Sequence, residues 1–402
     1  MMNKTRVLLL DTNDAMGGVV RIHLLLLQAL DRARVDMFVA CLGHGPLRRA
    51  FQKIPDISLW SIEAGTKSAT WCGGWLGHAV DLFSVVPLTF SAFWLAIRCR
   101  VEGIQVIHTS DKKRSLLLTL LLHRLTRLPY LYHIHNNYID YAANRWALAR
   151  AARIVANSAE MRRDFIRHRG PALERIRVLY NGIDAEQFRP GLPTGFRDQV
   201  GVPPEDVLVG ITSRLAPDKG QETFLRAAAQ VAGAEPRVRF VIVGDDAIFS
   251  DNRDYVSSLK HFVAEQGLAE RVIFAGFHAD MAEVYSGLDV LVNAAWREAF
   301  GMVVVEAMAC GKVVVGTDAG GIPEIITHGR DGFLFPPRDD QKLAEILLDL
   351  VRRPDLRQSI GAAARQTVEE KFTIQLMTRD IEEIYVELAG NIAKMNPSGR
   401  VP

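Results

Sequence analysis

The chain is poor in the residues that build covalent or metal scaffolds. Four cysteines, Cys41, Cys72, Cys99 and Cys310, are scattered through 402 residues, with no Cys-x-x-Cys pair and no histidine at metal spacing. A disulfide framework and a zinc module are therefore excluded, and a reducing, cytoplasmic setting is expected. Net charge is almost absent as well: 48 Lys and Arg against 46 Asp and Glu leave +2, which argues against nucleic acid as a partner. No apolar run reaches the roughly 20 residues of a spanning helix. Val7 to Leu10 is cut by Asp11, Asn13 and Asp14, so it reads as a buried strand rather than a secretory signal. Leu82 to Ile97 is uncharged but carries Pro87, which suggests a buried or interfacial helical hairpin. A Gly-x-Gly-x-x-Gly fingerprint is also missing, which disfavours a nicotinamide-dependent oxidoreductase.

What is present is a regular alternation. Short β-branched runs, each followed by a helix-length amphipathic stretch, lie at Arg6–Asp11, Met37–Leu42, Ile104–His108, Leu131–His135 and Arg153–Asn157. The series resumes at Val207–Thr212, Val238–Val243, Val272–Ala275, Val290–Asn293 and Val313–Thr317. Such alternation predicts α/β units with parallel sheets covered on both faces. Between the two series falls the densest cluster of turn residues, Asn181-Gly182-Ile183-Asp184 and then Pro190, Gly191, Pro193, Gly195, Pro203 and Pro204. Two doubly wound domains, 1–185 and 186–371, are expected, with ligands at the carboxyl ends of the strands. A final helix over 372–395, apolar at Ile374, Met377, Ile381, Ile384, Tyr385 and Leu388, is expected to pack back on the first domain.

Three clusters carry chemistry. Glu298-Ala299-Phe300-Gly301 leads through Met302 and Val303 to Glu306, a loop entering a helix whose first N–H groups and dipole can seat a diphosphate. Two carboxylates eight residues apart have different tasks there, and a carboxylate that accepts two hydroxyl protons suits a vicinal diol. Taken singly, such glutamates are more often helix-start or solvated residues. Ser213-Arg214 and Lys219-Gly220 leave the carboxyl end of a strand and can bring two cations to one diphosphate; pairing of either with an acid such as Asp218 is the plainer alternative. Gly17-Gly18, after the first strand, allows a close backbone approach to phosphate or sugar.

Together these residues resemble glycosyltransferase family 4, retaining enzymes of the GT-B fold that use nucleotide sugars. The likeness rests on Glu298 and Glu306 with Phe300-Gly301 between them, Ser213-Arg214 with Lys219-Gly220, and Tyr180-Asn181-Gly182-Ile183-Asp184 with Phe188 and Pro190. Gly244-Asp245, Ala319-Gly320-Gly321-Ile322-Pro323-Glu324 and Asp331-Gly332-Phe333-Leu334 extend it over nearly the whole chain. Ala299 and Asp246 depart from the family pattern without removing a functional group.

The resemblance implies two Rossmann-like domains facing a central cleft, the first for the acceptor and the second for the donor. It assigns Glu306 to the ribose hydroxyls and Glu298 to the donor sugar. Arg214, Lys219 and the backbone at Gly18, Gly301, Met302 and Val303 would meet the departing diphosphate, and Gly276-Phe277-His278 the nucleobase. His135 matches a histidine near donor sugar and acceptor, with Asn136 beside it. His133, by contrast, is expected on the strand's other face as a satisfied core residue. The donor is expected to be UDP- or GDP-linked, with no cofactor and no metal. Front-face transfer, in which the leaving phosphate takes the acceptor's proton, is the implied route to retention.

The near-zero charge hides an asymmetry. Residues 1–183 hold 25 Lys and Arg against 13 Asp and Glu, and residues 184–402 hold 23 against 33, or +12 and −10. The basic residues Lys112, Lys113 and Arg114, with Trp71, Trp75, Phe83, Phe90, Phe93 and Trp94 nearby in sequence, suggest peripheral contact with an anionic membrane face and a glycan or lipid-linked acceptor. Solvated helix faces around a core hairpin are the plain alternative. Rival activities are a nucleotide-sugar-modifying enzyme such as an epimerase and a non-catalytic nucleotide-sugar-binding module; the retained cations disfavour the second.

Overall fold

A computed structural model describes residues 4–13, 17–43, 45–62, 82–110, 112–135, 147–169, 176–245 and 252–395. The chain divides into two compact units, Met1–Tyr180 with Ile374–Pro402, and Asn181–Thr373.

The first unit is built on strands β1 (Thr5–Asp11), β2 (Val35–Leu42), β3 (Ile57–Ile62), β4 (Val106–Ser110), β5 (Tyr130–Ile134), β6 (Arg153–Ala156) and β7 (Ile176–Val178). All pair in parallel in the order β3-β2-β1-β4-β5-β6-β7. Helices α1 (Gly18–Ala29), α2 (Pro46–Phe51), α3 (Leu82–Val101), α4 (Lys113–Thr126) and α5 (Ala159–Arg169) make its crossovers. Because helices cover both faces, the central strands are apolar without alternation: Val7, Leu8, Leu9 and Leu10 are all fully buried.

The second unit pairs β8 (Val207–Thr212), β9 (Val238–Val243), β10 (Val272–Gly276), β11 (Val290–Asn293), β12 (Val313–Thr317) and β13 (Phe333–Phe335) in the parallel order β10-β9-β8-β11-β12-β13. Its main helices are α6 (Gln221–Ala234), α7 (Arg253–Glu265), α8 (Met281–Gly287), α9 (Met302–Ala309), α10 (Asp340–Arg352) and α11 (Pro354–Lys371). Val209, Ile211, Phe224, Phe240, Val292 and Val315 anchor its core. The last helix, α12 (Ile374–Met395), belongs to the first unit and packs on α1, β1 and β4. It buries the six apolar residues its periodicity singled out.

In each sheet the strand order reverses once, between β1 and β4 and between β8 and β11. In doubly wound sheets such a reversal is where ligands commonly bind, at the carboxyl ends of the strands.

Three strands escape the apolar-run reading, β3, β7 and β13, and all three are sheet edges with one face or less in the core. The expected hairpin at Leu82–Ile97 is instead one helix, α3, with Pro87 inside it. Proline forfeits one N–H bond near the helix start while its φ still fits the helix, so the chain need not turn back. Cys41, Cys99 and Cys310 are buried free thiols. Burial pushes them up, to about 11 for Cys41 and about 12 for the other two, which keeps them unreactive. Cys72, Trp71, Trp75, Asn136 and Asp246 lie outside the described residues, as do the side chains of Phe83 and Lys113. Among the described residues no helix is long and apolar enough to cross a membrane.

Candidate functional site

The second unit assembles its candidate site at its switch point. The loop from Ser213 to Gly220 follows β8, and the loop from Ala294 to Gly301 follows β11. Backbone contacts bind them together: Trp296 N–H donates to the Asp218 carbonyl at 2.9 Å. A Cβ on Gly220, at φ +73°, would fall 2.0 Å from the Ala294 carbonyl oxygen, so only glycine permits this approach. Buried Gln221 opens α6 and braces the first loop, its amide donating to Ser213 Oγ at 2.8 Å and to the Arg214 carbonyl at 2.7 Å. Its oxygen accepts from Tyr255 Oη at 3.0 Å.

Across this junction Lys219 Nζ donates to Glu298 Oε1 at 2.6 Å, with the two side chains 16% and 22% exposed. The plainer sequence alternative had Lys219 on a neighbouring acid such as Asp218; its partner is instead 79 residues away. Gly320 and Gly321 clamp the Glu298 loop from the far side. Gly321 N–H donates to the Glu298 carbonyl at 2.8 Å, and a Cβ on Gly320, at φ +64°, would lie 2.2 Å from that oxygen. Glu298 is thus fixed by backbone on one side and by an ammonium on the other.

Gly301, at φ +114°, caps α9. Val304 and Val305 N–H both reach back to the Gly301 carbonyl, so the N–H groups of Met302 and Val303 precede the first helical bond, in the position that favours an anion. Glu306 is the fifth residue of α9 and only 1% exposed. Tyr285 on α8, itself fully buried, donates from Oη to Glu306 Oε2 at 2.9 Å. Arg214 is exposed at the start of its loop, and Phe277 is exposed just past β10. Sequence reasoning missed Gln221 and Tyr285. Gln221 had a faint signal, an amide directly after a loop glycine; Tyr285 had none, since one tyrosine in a helix says nothing of the glutamate 21 residues on.

The first unit holds the remaining candidates. Gly17 and Gly18 open α1, and a Cβ on either would meet nothing within 4 Å, so packing among the described residues does not require glycine there. Lys112 is exposed ahead of α4. His135 follows β5 and is buried in a histidine cluster. His23 Nδ1 lies 2.6 Å from Asp11 Oδ2, and Asn13 donates to Asp11 Oδ1 from its amide at 2.6 Å and its backbone N–H at 2.9 Å. The His23 and His135 rings stand 5.7 Å apart, and His108 bonds Tyr385 Oη on α12 through Nδ1 at 2.6 Å.

His133 requires a correction. It shares a face with His135, since residues two apart on a strand point the same way, and their ring centroids are 3.9 Å apart. Nor is it satisfied: neither ring nitrogen has a hydrogen-bond partner among the described residues. It stacks instead on His108 at 5.5 Å.

The charges follow from burial. Burial and then the neighbouring histidines hold His108 and His133 well below their usual 6.5. Burial, then the charge of His23, brings His135 to about 3, against a smaller pull from Asp11. Burial would raise the Asp11 carboxyl, but the His23 hydrogen bond and charge, with those from Asn13, outweigh it and hold it below 3.8. His135 is therefore a neutral imidazole near pH 7.

Comparison with known proteins gives the following. Residues 194–367 match the family described as Glycosyl transferases group 1, and residues 16–187 match Glycosyltransferase Family 4. A D-inositol 3-phosphate glycosyltransferase of Saccharomonospora viridis is 29% identical over 60% of this chain and 56% of its own length. An N-acetyl-alpha-D-glucosaminyl L-malate synthase of Bacillus anthracis is 28% identical over 53% of this chain and 54% of its own. The chain thus spans just over half the length of these two relatives. Among solved structures, the Anabaena protein HepE in complex with UDP and glucose is 26% identical, covering 95% of this chain and 99% of its own, with a TM-score of 0.79.

Proposed function

The chain belongs to glycosyltransferase family 4 and has the GT-B fold, and from that premise we propose that it moves a sugar from a nucleoside-diphosphate sugar to a hydroxyl of a glycan or lipid-linked acceptor, with retention of configuration. The observation that carries this reading is the Lys219–Glu298 pair at the switch point of the second unit, beside the start of α9. One carboxylate and one ammonium at that place suit a sugar hydroxyl and the phosphate it leaves. The UDP and glucose held by the Anabaena protein favour a uridine nucleotide.

Transfer breaks the bond between the anomeric carbon and the diphosphate oxygen, through an oxocarbenium-like state with negative charge growing on that oxygen. Preorganised positive groups lower such a barrier more than a strong base does. Lys219, Arg214 and the N–H groups at the start of α9 supply them. Glu298 holds a donor-sugar hydroxyl, and Glu306, oriented by Tyr285, holds the ribose diol. His135, neutral at pH 7, serves the acceptor side. On the front-face route the acceptor oxygen bonds to the anomeric carbon on the side the diphosphate leaves, and its proton passes to the leaving phosphate. These cations give the scheme no need of a metal, and full activity in EDTA is expected.

Titration calorimetry with UDP and GDP, followed by transfer from the matching sugar nucleotide to candidate acceptors, tests the proposal. Selective binding of one nucleoside diphosphate, and its release only when acceptor is present, supports it. Consumption of sugar nucleotide without acceptor, or an ester trapped on Glu298, overturns the reaction or its route.

A further inference from the structure

We propose that the outward face of α3 is a docking surface for an anionic lipid bilayer. The helix is apolar on two opposite sides. Leu88, Ala92, Leu95, Ala96 and Cys99 point into the first unit and are buried. Phe90, Phe93, Trp94, Ile97 and Val101, spaced i, i+3, i+4, i+7 and i+11, point outward; Phe90 is 80%, Val101 73% and Phe93 62% exposed. Helix α4 packs beside α3 and continues the patch with exposed Leu117 and Leu125. A contiguous exposed stripe of this kind marks an interaction surface rather than ordinary scattered hydrophobes. It is about 16 Å long over the eleven helical steps from Phe90 to Val101.

Charge selects the occupant. Residues 82–135 hold seven Lys and Arg against two Asp and Glu. Arg100, Arg124 and Arg127 are exposed at the shared carboxyl ends of α3 and α4, where Arg100 Nη2 donates to the Leu125 carbonyl at 3.2 Å. Lys112 is exposed at the opposite end of α4. Arg98 is held by Glu102 at 2.8 Å and lies 5.0 Å over the Trp60 ring and 6.0 Å from that of Trp94, which stiffens the base of the stripe. Exposed aromatics flanked by arginine and lysine match the chemistry of an anionic bilayer surface, where rings enter the headgroup boundary and cations meet lipid phosphates. A second copy of the chain fits poorly, because a two-fold contact would bring together two faces that are both basic at their ends.

Flotation of the full chain with phosphatidylglycerol-containing vesicles, against pure phosphatidylcholine vesicles, tests this without substrate. The parent is expected to float with the anionic vesicles and to be released by raised salt. Phe90→Ser with Phe93→Ser is expected to lower partitioning by about tenfold per phenylalanine. Arg124→Gln with Arg127→Gln is expected to lower it by about fivefold per charge. Val386→Ser, an exposed apolar position on α12, leaves it unchanged, and circular dichroism melts verify that each variant folds. No flotation, equal flotation in the Phe90→Ser/Phe93→Ser variant, or a dimer that this variant dissociates would overturn the proposal. The donor side chains Arg214, Lys219, Glu298 and Glu306 belong to the second unit, so nucleotide binding in the same preparation separates failure of this surface from failure of the transferase reading.

Discussion

Acidification should destabilise the first unit through its buried imidazoles, and His133→Phe should weaken that response by about a third. His108, His133 and His135 are buried and held below 6.5 in the folded chain. Above pH 6.5 the folded and unfolded chains both keep these rings neutral, and pH has no effect through them. Below it the unfolded chain takes up protons that the folded chain refuses, so stability falls as pH falls toward the folded values. While it stays neutral in the folded chain each ring contributes a slope of about 1.4 kcal/mol per pH unit, hence up to about 4 kcal/mol per unit for three. Asp11, held below 3.8, titrates beneath this window.

His133→Phe removes one titrating ring while keeping an aromatic against His108 and His135, so its slope should be about 2.7 kcal/mol per unit. It also removes two buried nitrogens without hydrogen-bond partners among the described residues, so at pH 8 the variant should be at least as stable as the parent despite the larger ring. Urea unfolding followed by tryptophan fluorescence is the assay, because five of the six tryptophans belong to the first unit. Stability that is flat from pH 7.5 to 5.0, or a slope unchanged by His133→Phe, would refute the reasoning.

Other outcomes follow from the second unit. Lys219→Ala should lower turnover by about a hundredfold or more by removing a cation aimed at the leaving phosphate, whereas Glu306→Ala should mainly raise the donor KM; steady-state kinetics with equal turnover in Lys219→Ala and the parent would refute the role given to Lys219. Tyr285→Phe leaves buried Glu306 without its 2.9 Å donor and should cost about 1–3 kcal/mol, seen as a lower melting temperature together with weaker nucleotide binding. Gly320→Ala forces a Cβ toward the Glu298 carbonyl, so activity should fall while a circular dichroism spectrum stays native; an active Gly320→Ala enzyme would show that the clamp is dispensable.

The central strands were legible because each is a mostly buried run rich in β-branched residues. Val207–Thr212, Val238–Val243, Val290–Asn293 and Val313–Thr317 coincide with observed strands end to end. The edges β3, β7 and β13 were not, since half-buried strands such as Ile57–Ile62 mix polar and apolar residues. Glu298, Arg214 and Lys219 stand out by residue type in the loops after β11 and β8, and Glu306 inside α9; the structure brings Lys219 to Glu298. The two-residue strand period by itself puts His133 on the face of His135, where the structure finds it.

Local pattern alone determined the alternation of strands and helices, the glycine-bearing loops and the residues those loops offer, because periodicity and turn chemistry act over a few neighbouring positions. Tertiary structure decided the pairings: Lys219 with Glu298, Tyr285 with Glu306, and the gathering of His23, His108, His133 and His135 from α1, β4 and the strand end of β5. Such partners are brought within hydrogen-bond distance only by strand order and register. Neither is encoded in the spacing of residues along the chain.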